Sequence, residues 1–192
     1  MYEVFQKYLD SRIVLTAEQS TWIQSLSVVK KIRKHQYLLQ EGEVSRQNIF
    51  ISKGCLRGYT IDEKGVEHIL MFGIENWWIG DRQSLLSGEP AKFNIDAVED
   101  SEVVLFSKQD FDMICRQLPI FNDMVNTILQ KAFISMQNRI NATISLTAVE
   151  KYEYFIQRYP EFARRIPQGM IASYLGISPE TLSRARNQIT NK

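Results

Sequence analysis

The stretch Ile171–Gln188, "IASYLGISPETLSRARNQ", sets two short apolar-patterned segments on either side of Gly176. A helix-turn-helix needs a small residue where its two helices cross, a Gly able to take positive φ in the turn, and apolar residues at fixed places between. Ala172 is the small residue, Gly176 the turn, and Ile171, Leu175, Ile177, Leu182 and Ala185 fill the apolar places. Ser178 then stands as N-cap, Pro179 at the first helical position, and Glu180 at the positive end of the helix dipole. At about 100° per residue, Leu182, Ala185 and Ile189 turn toward the preceding helix, while Glu180, Ser183, Arg184 and Asn187 gather on the opposite side. A Glu can accept from cytosine N4, and an Arg can bond guanine O6 and N7 at two points, so this face has the chemistry of major-groove base reading. Docking to protein would favour apolar or aromatic residues there. Arg164, Arg165, Ser178, Thr181 and Arg186 are the candidate phosphate contacts; Arg186, nearer the buried flank, is assigned to phosphate or packing.

The charge distribution agrees with a polyanion partner for this end. From Arg158 onward six basic residues, Lys192 included, face two acidic ones, a net +4 in a chain whose total is +1, so the remainder is mildly acidic. The whole chain has 192 residues and 44% hydrophobic content, which suits one sizeable domain or two small ones. Its N-terminus, "MYEVFQKYLDSRIVL", is interrupted by charges and has no secretory or transit composition, and no apolar run approaches a membrane span. Cys55 and Cys115 stand alone, without metal-binding or disulfide spacing, and are expected as packed thiols in a reducing cytoplasm.

Up to about Lys108 the sequence reads as short strands: "LSVVKKIRKHQYLL", "NIFISKG", "CLRGYTI", "VEHILMF", "FNIDAV" and "EVVLFS", rich in β-branched and aromatic residues and separated by turn chemistry. The clearest hairpin turns at Asp62 to Gly65. Strands at this spacing suggest an antiparallel barrel or roll, with short helices near Val4–Leu9 and Ala17–Leu26 covering one side. From Ser107 the period changes. Ser107 with Asp110 opens a short helix, and Pro119 starts a second, of roughly 24 residues, in which apolar positions step by three and four. Its stripe of Phe121, Val125, Ile128, Ala132, Met136 and Ile140, widened by Met124, Leu129 and Phe133, is the expected seam with a symmetry mate. The expected organisation is α+β: residues 1–118 an antiparallel β-roll with flanking helices, 119–142 a dimerisation helix, and 143–192 a helix-turn-helix domain.

Here the sequence resembles a known family. "GISPETLSR" is similar to the recognition-helix signature of the Crp/Fnr family of bacterial transcription regulators, in its Glu-x-x-Ser-Arg form, carried here by Glu180, Ser183 and Arg184. "LLQEGEVSRQNIFISKGCLRGY" resembles that family's β-roll with its Gly-Glu turn at Gly42 and Glu43, and "MIASYLGISPETLSR" is most like the regulators common in Bacteroidetes. The resemblance spans nearly the whole chain. It implies a cyclic nucleotide-binding-like sensor domain, a homodimer, double-stranded DNA with a palindromic site of TGA-like core, and RNA polymerase as a further partner. Arg184 would face the guanine of that core and Glu180 the opposing cytosine.

The resemblance also has departures. Relatives that bind cyclic AMP carry a Gly-Glu pair and then Arg-Ser/Thr-Ala; here Gly80 and Asp81 stand for the pair, but Ala91, Lys92 and Phe93 fall where the Arg triplet would. The candidate effector pocket is therefore Gly80, Asp81, Arg82 and Lys92, whose cations offer only point charges to a phosphate, and cyclic nucleotide is not the expected effector. Two isolated Cys cannot hold an iron–sulfur cluster. Family members usually continue into a β-wing, whereas this sequence stops three residues after Ile189, so wing contacts to phosphate are not expected. A different class, a small-molecule or cyclic-nucleotide module signalling through protein contacts, remains the alternative. A metal-dependent β-barrel enzyme would need clustered His and carboxylates, whereas His35 and His68 are read on separate strands without paired spacing, so neither catalysis nor a metal is expected.

Overall fold

The computed structural model describes residues 2–190; Lys192, counted above in the basic end, lies outside the described residues. Two compact units divide the chain: residues 1–66 with 70–127, and residues 67–69 with 128–192. The division falls inside the long helix rather than at its start.

In the first unit, α1 (Tyr2–Asp10) and α2 (Ala17–Ser25) precede the strands, α2 opening on a capping box between Thr16 and Gln19. The strands are β1 (Ser27–Ile32), β2 (Tyr37–Leu39), β3 (Gln47–Lys53), β4 (Leu56–Ile61), β5 (Glu67–Gly73), β6 (Trp78–Ile79), β7 (Asn94–Ala97) and β8 (Ser101–Ser107). They form two four-stranded sheets, β1-β8-β3-β6 and β2-β7-β4-β5. β1 with β8, β8 with β3, β3 with β6, β2 with β7 and β7 with β4 all pair antiparallel, as expected for a β-roll. The β4–β5 turn is built as read: Gly65 sits at φ +78°, and the Asp62 carboxylate accepts from the backbone of Lys64 and Val66, each at 2.9 Å. Gly42, in the Gly-Glu turn, has φ +89°.

The apolar alternation of these strands points inward. Ile32, Leu39, Ile49, Ile51, Leu56, Ile95, Val103 and Leu105 form one buried cluster, with Met71 and Phe93 packed against it. On the far side of β3 and β8, Phe5, Phe50, Trp78, Phe106 and Phe111 form a chain of edge-on and tilted ring contacts that seats α1 and α4 (Lys108–Gln117). Ser107 caps α4 through Asp110 N–H at 3.0 Å. Cys55 is fully buried and Cys115 half-buried, its thiol pushed up to about 11 by desolvation.

Three expectations change here. His35 lies in the turn after β1 with φ +64°, not on a strand. The α3 helix (Arg82–Ser87) and β6 had no signal in the sequence reading, because two strand residues and a six-residue helix are too short to show a period. The long helix, α5, runs Pro119–Ser145, 27 residues, and its first turn belongs to the intrachain core: Phe121 is 0% exposed, its ring 5.5 Å from that of Phe111. Phe121 is therefore withdrawn from the dimer seam.

The second unit contains the rest of α5, then α6 (Ala148–Arg158), α7 (Pro160–Arg165), α8 (Gln168–Leu175) and α9 (Pro179–Thr190). Glu67–Ile69 groups with it: Ser173 Oγ accepts from Ile69 N–H at 2.9 Å and donates to Glu67 C=O at 3.0 Å. Phe155, Phe162, Ile166, Ile171, Ala172, Leu182 and Ala185 are among its buried residues around the helix crossing.

Candidate nucleic-acid interface

The site is α9 and the turn before it. Gly176 ends α8 at φ +67°, ψ +36°, the left-handed cap that an L side chain adopts only with strain. Its N–H returns to Ser173 C=O, and Ile177 N–H to Ala172 C=O, so the turn leaves few backbone groups unmet. Ser178 then caps α9: Thr181 N–H donates to Ser178 Oγ at 3.2 Å. The inner side of α9 is sealed, with Leu182 and Ala185 each 1% exposed.

The outer side is open. Glu180, Ser183, Arg184 and Asn187 are all exposed, and the helical period brings them to one face as the sequence reading expected. The Glu180 carboxyl is held below the usual carboxylate range by its own backbone N–H, by the Ser178 hydroxyl and, less, by Arg184, so it presents an ionised acceptor. Arg184 Nη2 donates to Thr181 Oγ1 at 3.3 Å, and that same oxygen accepts from Ser178 Oγ at 3.1 Å. Thr181, a candidate phosphate contact, is thus also the rest on which the Arg184 side chain lies.

The basic residues around this face differ among themselves. Arg164 is exposed but ion-paired to Glu161. Arg165 is half-buried with interactions of its own. Arg186, expected near the buried flank, is exposed. Gln168, not singled out from sequence, begins α8 with its side-chain oxygen buried and without a hydrogen-bond partner.

The candidate effector pocket in the β-roll takes another form. Asp81 is buried and spends its carboxylate internally, accepting from Ser84 N–H at 3.0 Å as the N-cap of α3 and from Lys92 N–H at 3.4 Å. It meets Lys92 through the backbone amide, while the side chains of Lys92 and Arg82 are exposed. Gly80 has open space around its α-carbon. Ala91 is buried and bridges Gly42 and Glu43 through backbone bonds of 2.9 and 2.7 Å. The ionic feature that the sequence reading missed lies nearby. Arg57 on β4 and Asp96 on β7 are direct cross-strand partners, 4% and 3% exposed, joined by Nε–Oδ1 at 2.7 Å and Nη2–Oδ2 at 3.0 Å. The Tyr59 hydroxyl reaches Asp96 at 3.4 Å and Tyr37 at 3.1 Å, and the Arg57 guanidinium lies 4.1 Å over the Tyr59 ring. Charged letters inside two apolar strand runs were the available signal. Among the described residues no group of three or more His, Cys, Asp or Glu is placed to hold a metal, and no helix is long and apolar enough to cross a membrane.

Comparison with known proteins bears on both units. The cyclic nucleotide-binding domain family matches residues 29–118. Regulatory protein HlyX of Actinobacillus pleuropneumoniae is 26% identical over 166 residues, covering 81% of this chain and 68% of that protein. The fumarate and nitrate reduction regulatory protein of Vibrio cholerae is 25% identical, covering 81% of this chain and 66% of its own length. The match thus takes in about two thirds of those relatives' lengths. Among solved structures, FixK2 of Bradyrhizobium japonicum shares the fold with a TM-score of 0.72 at 19% identity, over 86% of this chain and 85% of that one. A transcriptional regulator of the Crp/Fnr family from Eubacterium rectale gives 0.70 at 14% identity, over 96% and 88%.

Proposed function

We propose that the chain is a transcription regulator of the Crp/Fnr type and that it works as a homodimer whose two α9 helices read a palindromic DNA site in successive major grooves. The observation that carries this reading is the division of α9: a sealed inner side at Leu182 and Ala185, and an exposed outer side offering Glu180, Ser183, Arg184 and Asn187. Arg184 reads a guanine and Glu180 the opposing cytosine of a TGA-like half-site, while Ser178, Thr181, Arg164, Arg165 and Arg186 lie against phosphates. The dimer forms along α5 beyond its first turn. Val125, Ile128, Ala132, Met136 and Ile140 continue the stripe there, and Phe133 is 62% exposed in the single chain. A water-facing apolar row of that length is the usual sign of a helix awaiting a partner. Two-fold symmetry sets the recognition helices about 34 Å apart, one turn of DNA. RNA polymerase is a further partner in this reading.

The effector is not cyclic AMP, and no iron–sulfur cluster is held. Asp81 already occupies the amides of Ser84 and Lys92 with an anion of its own, and Ala91 brings no guanidinium to a cyclic phosphate. This also disfavours the alternative of a cyclic-nucleotide module acting through protein contacts. The relatives named above are regulators rather than enzymes.

Selection of duplexes from a random pool by the purified protein, with and without cyclic AMP, tests the reading. A palindrome enriched equally in both arms is expected; no enrichment removes DNA reading, and enrichment with cyclic AMP alone removes the effector statement. A ligand at 100 times its Kd would also stabilise the protein by about 2.7 kcal/mol, so a thermal shift with cyclic AMP but not AMP counts the same way. Ile128→Asp should give monomers by sedimentation; an unchanged profile means that the seam lies elsewhere.

A further inference from the structure

The geometry points to Arg139, on α5, as a positioning residue for DNA reading that acts through Tyr174 rather than on DNA; this inference rests on the DNA-reading function proposed above. Its guanidinium lies 3.9 Å over the Tyr174 ring, and its Nη2 donates to Tyr174 C=O at 3.1 Å and to Ile69 C=O at 3.2 Å, all within the second unit. Tyr174 is the penultimate residue of α8, two before Gly176, so the bond falls on a carbonyl at the negative end of that helix, where a cation is favoured. One nitrogen makes both bonds while the guanidinium plane stacks on the ring, and the planar stack is what an ammonium could not reproduce. Desolvation pushes the Tyr174 hydroxyl up to about 12, so the ring stays neutral beneath the cation at ordinary pH.

The surroundings hold this contact in place. The Tyr174 ring packs 5.7 Å from Phe155 on α6, which in turn meets Tyr159 at 5.9 Å. One turn earlier on α5, Ser135 Oγ lies 3.1 Å from the Tyr159 hydroxyl. Two successive inward polar residues of α5 are therefore bonded to the aromatic layer that carries α8. The space left between Ser135, Arg139, Lys151, Tyr154, Phe155 and Tyr174 is about 30 Å³, room for a water or two but far below the few hundred Å³ of an organic effector site. The arrangement is a clamp. It ties the helix proposed to join two copies to the last turn before the recognition helix, and so sets the angle at which α9 meets the groove.

The test uses full-length wild type, Arg139→Ala, Arg139→Lys and Tyr174→Phe, titrated on the duplex selected by wild type, on a single-base variant of it, and on unrelated duplex at low salt. Arg139→Ala should lose on the order of tenfold or more on the selected duplex, as for a bond to a charged group, with non-specific affinity held within twofold. Arg139→Lys should recover less than half of that loss, because it restores charge without the planar stack on Tyr174. Tyr174→Phe, which keeps ring and carbonyl, should bind within threefold of wild type. If Arg139→Ala binds the selected duplex as wild type does, the clamp has no part in reading. If it weakens all duplexes alike, Arg139 is a phosphate contact or a general structural support, and the inference is equally overturned. If Arg139→Ala alone misfolds, the Arg139→Lys ratio of selected to unrelated binding decides. A wild type without preference among duplexes removes the proposed function and this inference together, whereas a selective wild type with a selective Arg139→Ala removes the inference alone.

Discussion

The β-roll and α9 use polar residues in opposite ways. In the roll, Asp81, Arg57 and Asp96 are buried and bonded within the chain. On α9, Glu180, Ser183, Arg184 and Asn187 are exposed, bonded at most to a neighbour on the same turn. A polar group removed from water must find its partner in the fold, while one left on a surface keeps its bonding capacity for another molecule. The difference separates polar residues that hold this protein together from polar residues whose bonding capacity faces solvent, and Arg occurs in both sets.

The largest expected effect is in the roll. Asp96→Ala leaves the Arg57 guanidinium buried without its carboxylate, which should cost about 3 to 5 kcal/mol. Trp22, Trp77 and Trp78 all lie in the first unit, so urea unfolding followed by Trp fluorescence reports this change. Replacing both partners, Arg57→Met with Asp96→Leu, should recover most of the loss. A loss under about 1 kcal/mol for Asp96→Ala would mean that the pair is hydrated in solution.

The inner side of α9 comes next. Leu182→Ala opens a gap between α8 and α9, and because a crossing of two helices can partly close over it, the cost should be about 2 to 3 kcal/mol, the low end for buried Leu. Far-UV circular dichroism should show the second unit melting earlier while the Trp transition stays in place. Movement of both transitions together would contradict the division into two units.

Arg184→Ala, on the outer side, should leave stability unchanged and cost about 1 to 3 kcal/mol per half-site on the matched duplex, with relaxed preference at one base pair. Arg165→Ala should instead weaken all duplexes and flatten the salt slope by about one unit. Equal losses on every duplex for Arg184→Ala would assign it to phosphate and collapse the distinction between the two faces.

The smallest effect sharpens the comparison at an exposed cap. Thr147 and Glu150 form the capping box of α6, and bonds from the Thr147 backbone and hydroxyl hold the Glu150 carboxyl below its ordinary value of 4.5. A depressed folded value stabilises the protein above pH 4.5, and that contribution is lost as pH falls through the depressed value. Thr147→Ala should cost about 0.5 to 2 kcal/mol at neutral pH and remove this part of the acid dependence. Parallel stability-versus-pH curves for mutant and wild type would show that the box does not form.

These contrasts follow how the molecule could be read. The helix-turn-helix was legible because its signals are local: Gly176 takes the left-handed cap, Ser178 bonds Thr181, and Leu182 and Ala185 fall on one side by period. The Asp62–Gly65 hairpin and the Ser107 cap were legible for the same reason. Phe121 was misread because periodicity gives the width of an apolar stripe but not which turn its own chain covers. Arg139 was passed over because an Arg on a long helix has no local mark distinguishing a clamp from a solvated cation.

By itself the sequence determined the kinds of element, most of their limits, and the last helix with its two faces, since period, caps and turn residues act over a few positions. The tertiary structure alone decided which charges are internal. Arg57 and Asp96 are 39 residues apart and become partners only through the register of β4 on β7. Arg139 and Tyr174, 35 apart, meet only through the packing of α5 on α8. Such pairings depend on where whole strands and helices come to rest, and that is set by the sum of many apolar contacts rather than by the residues beside either partner.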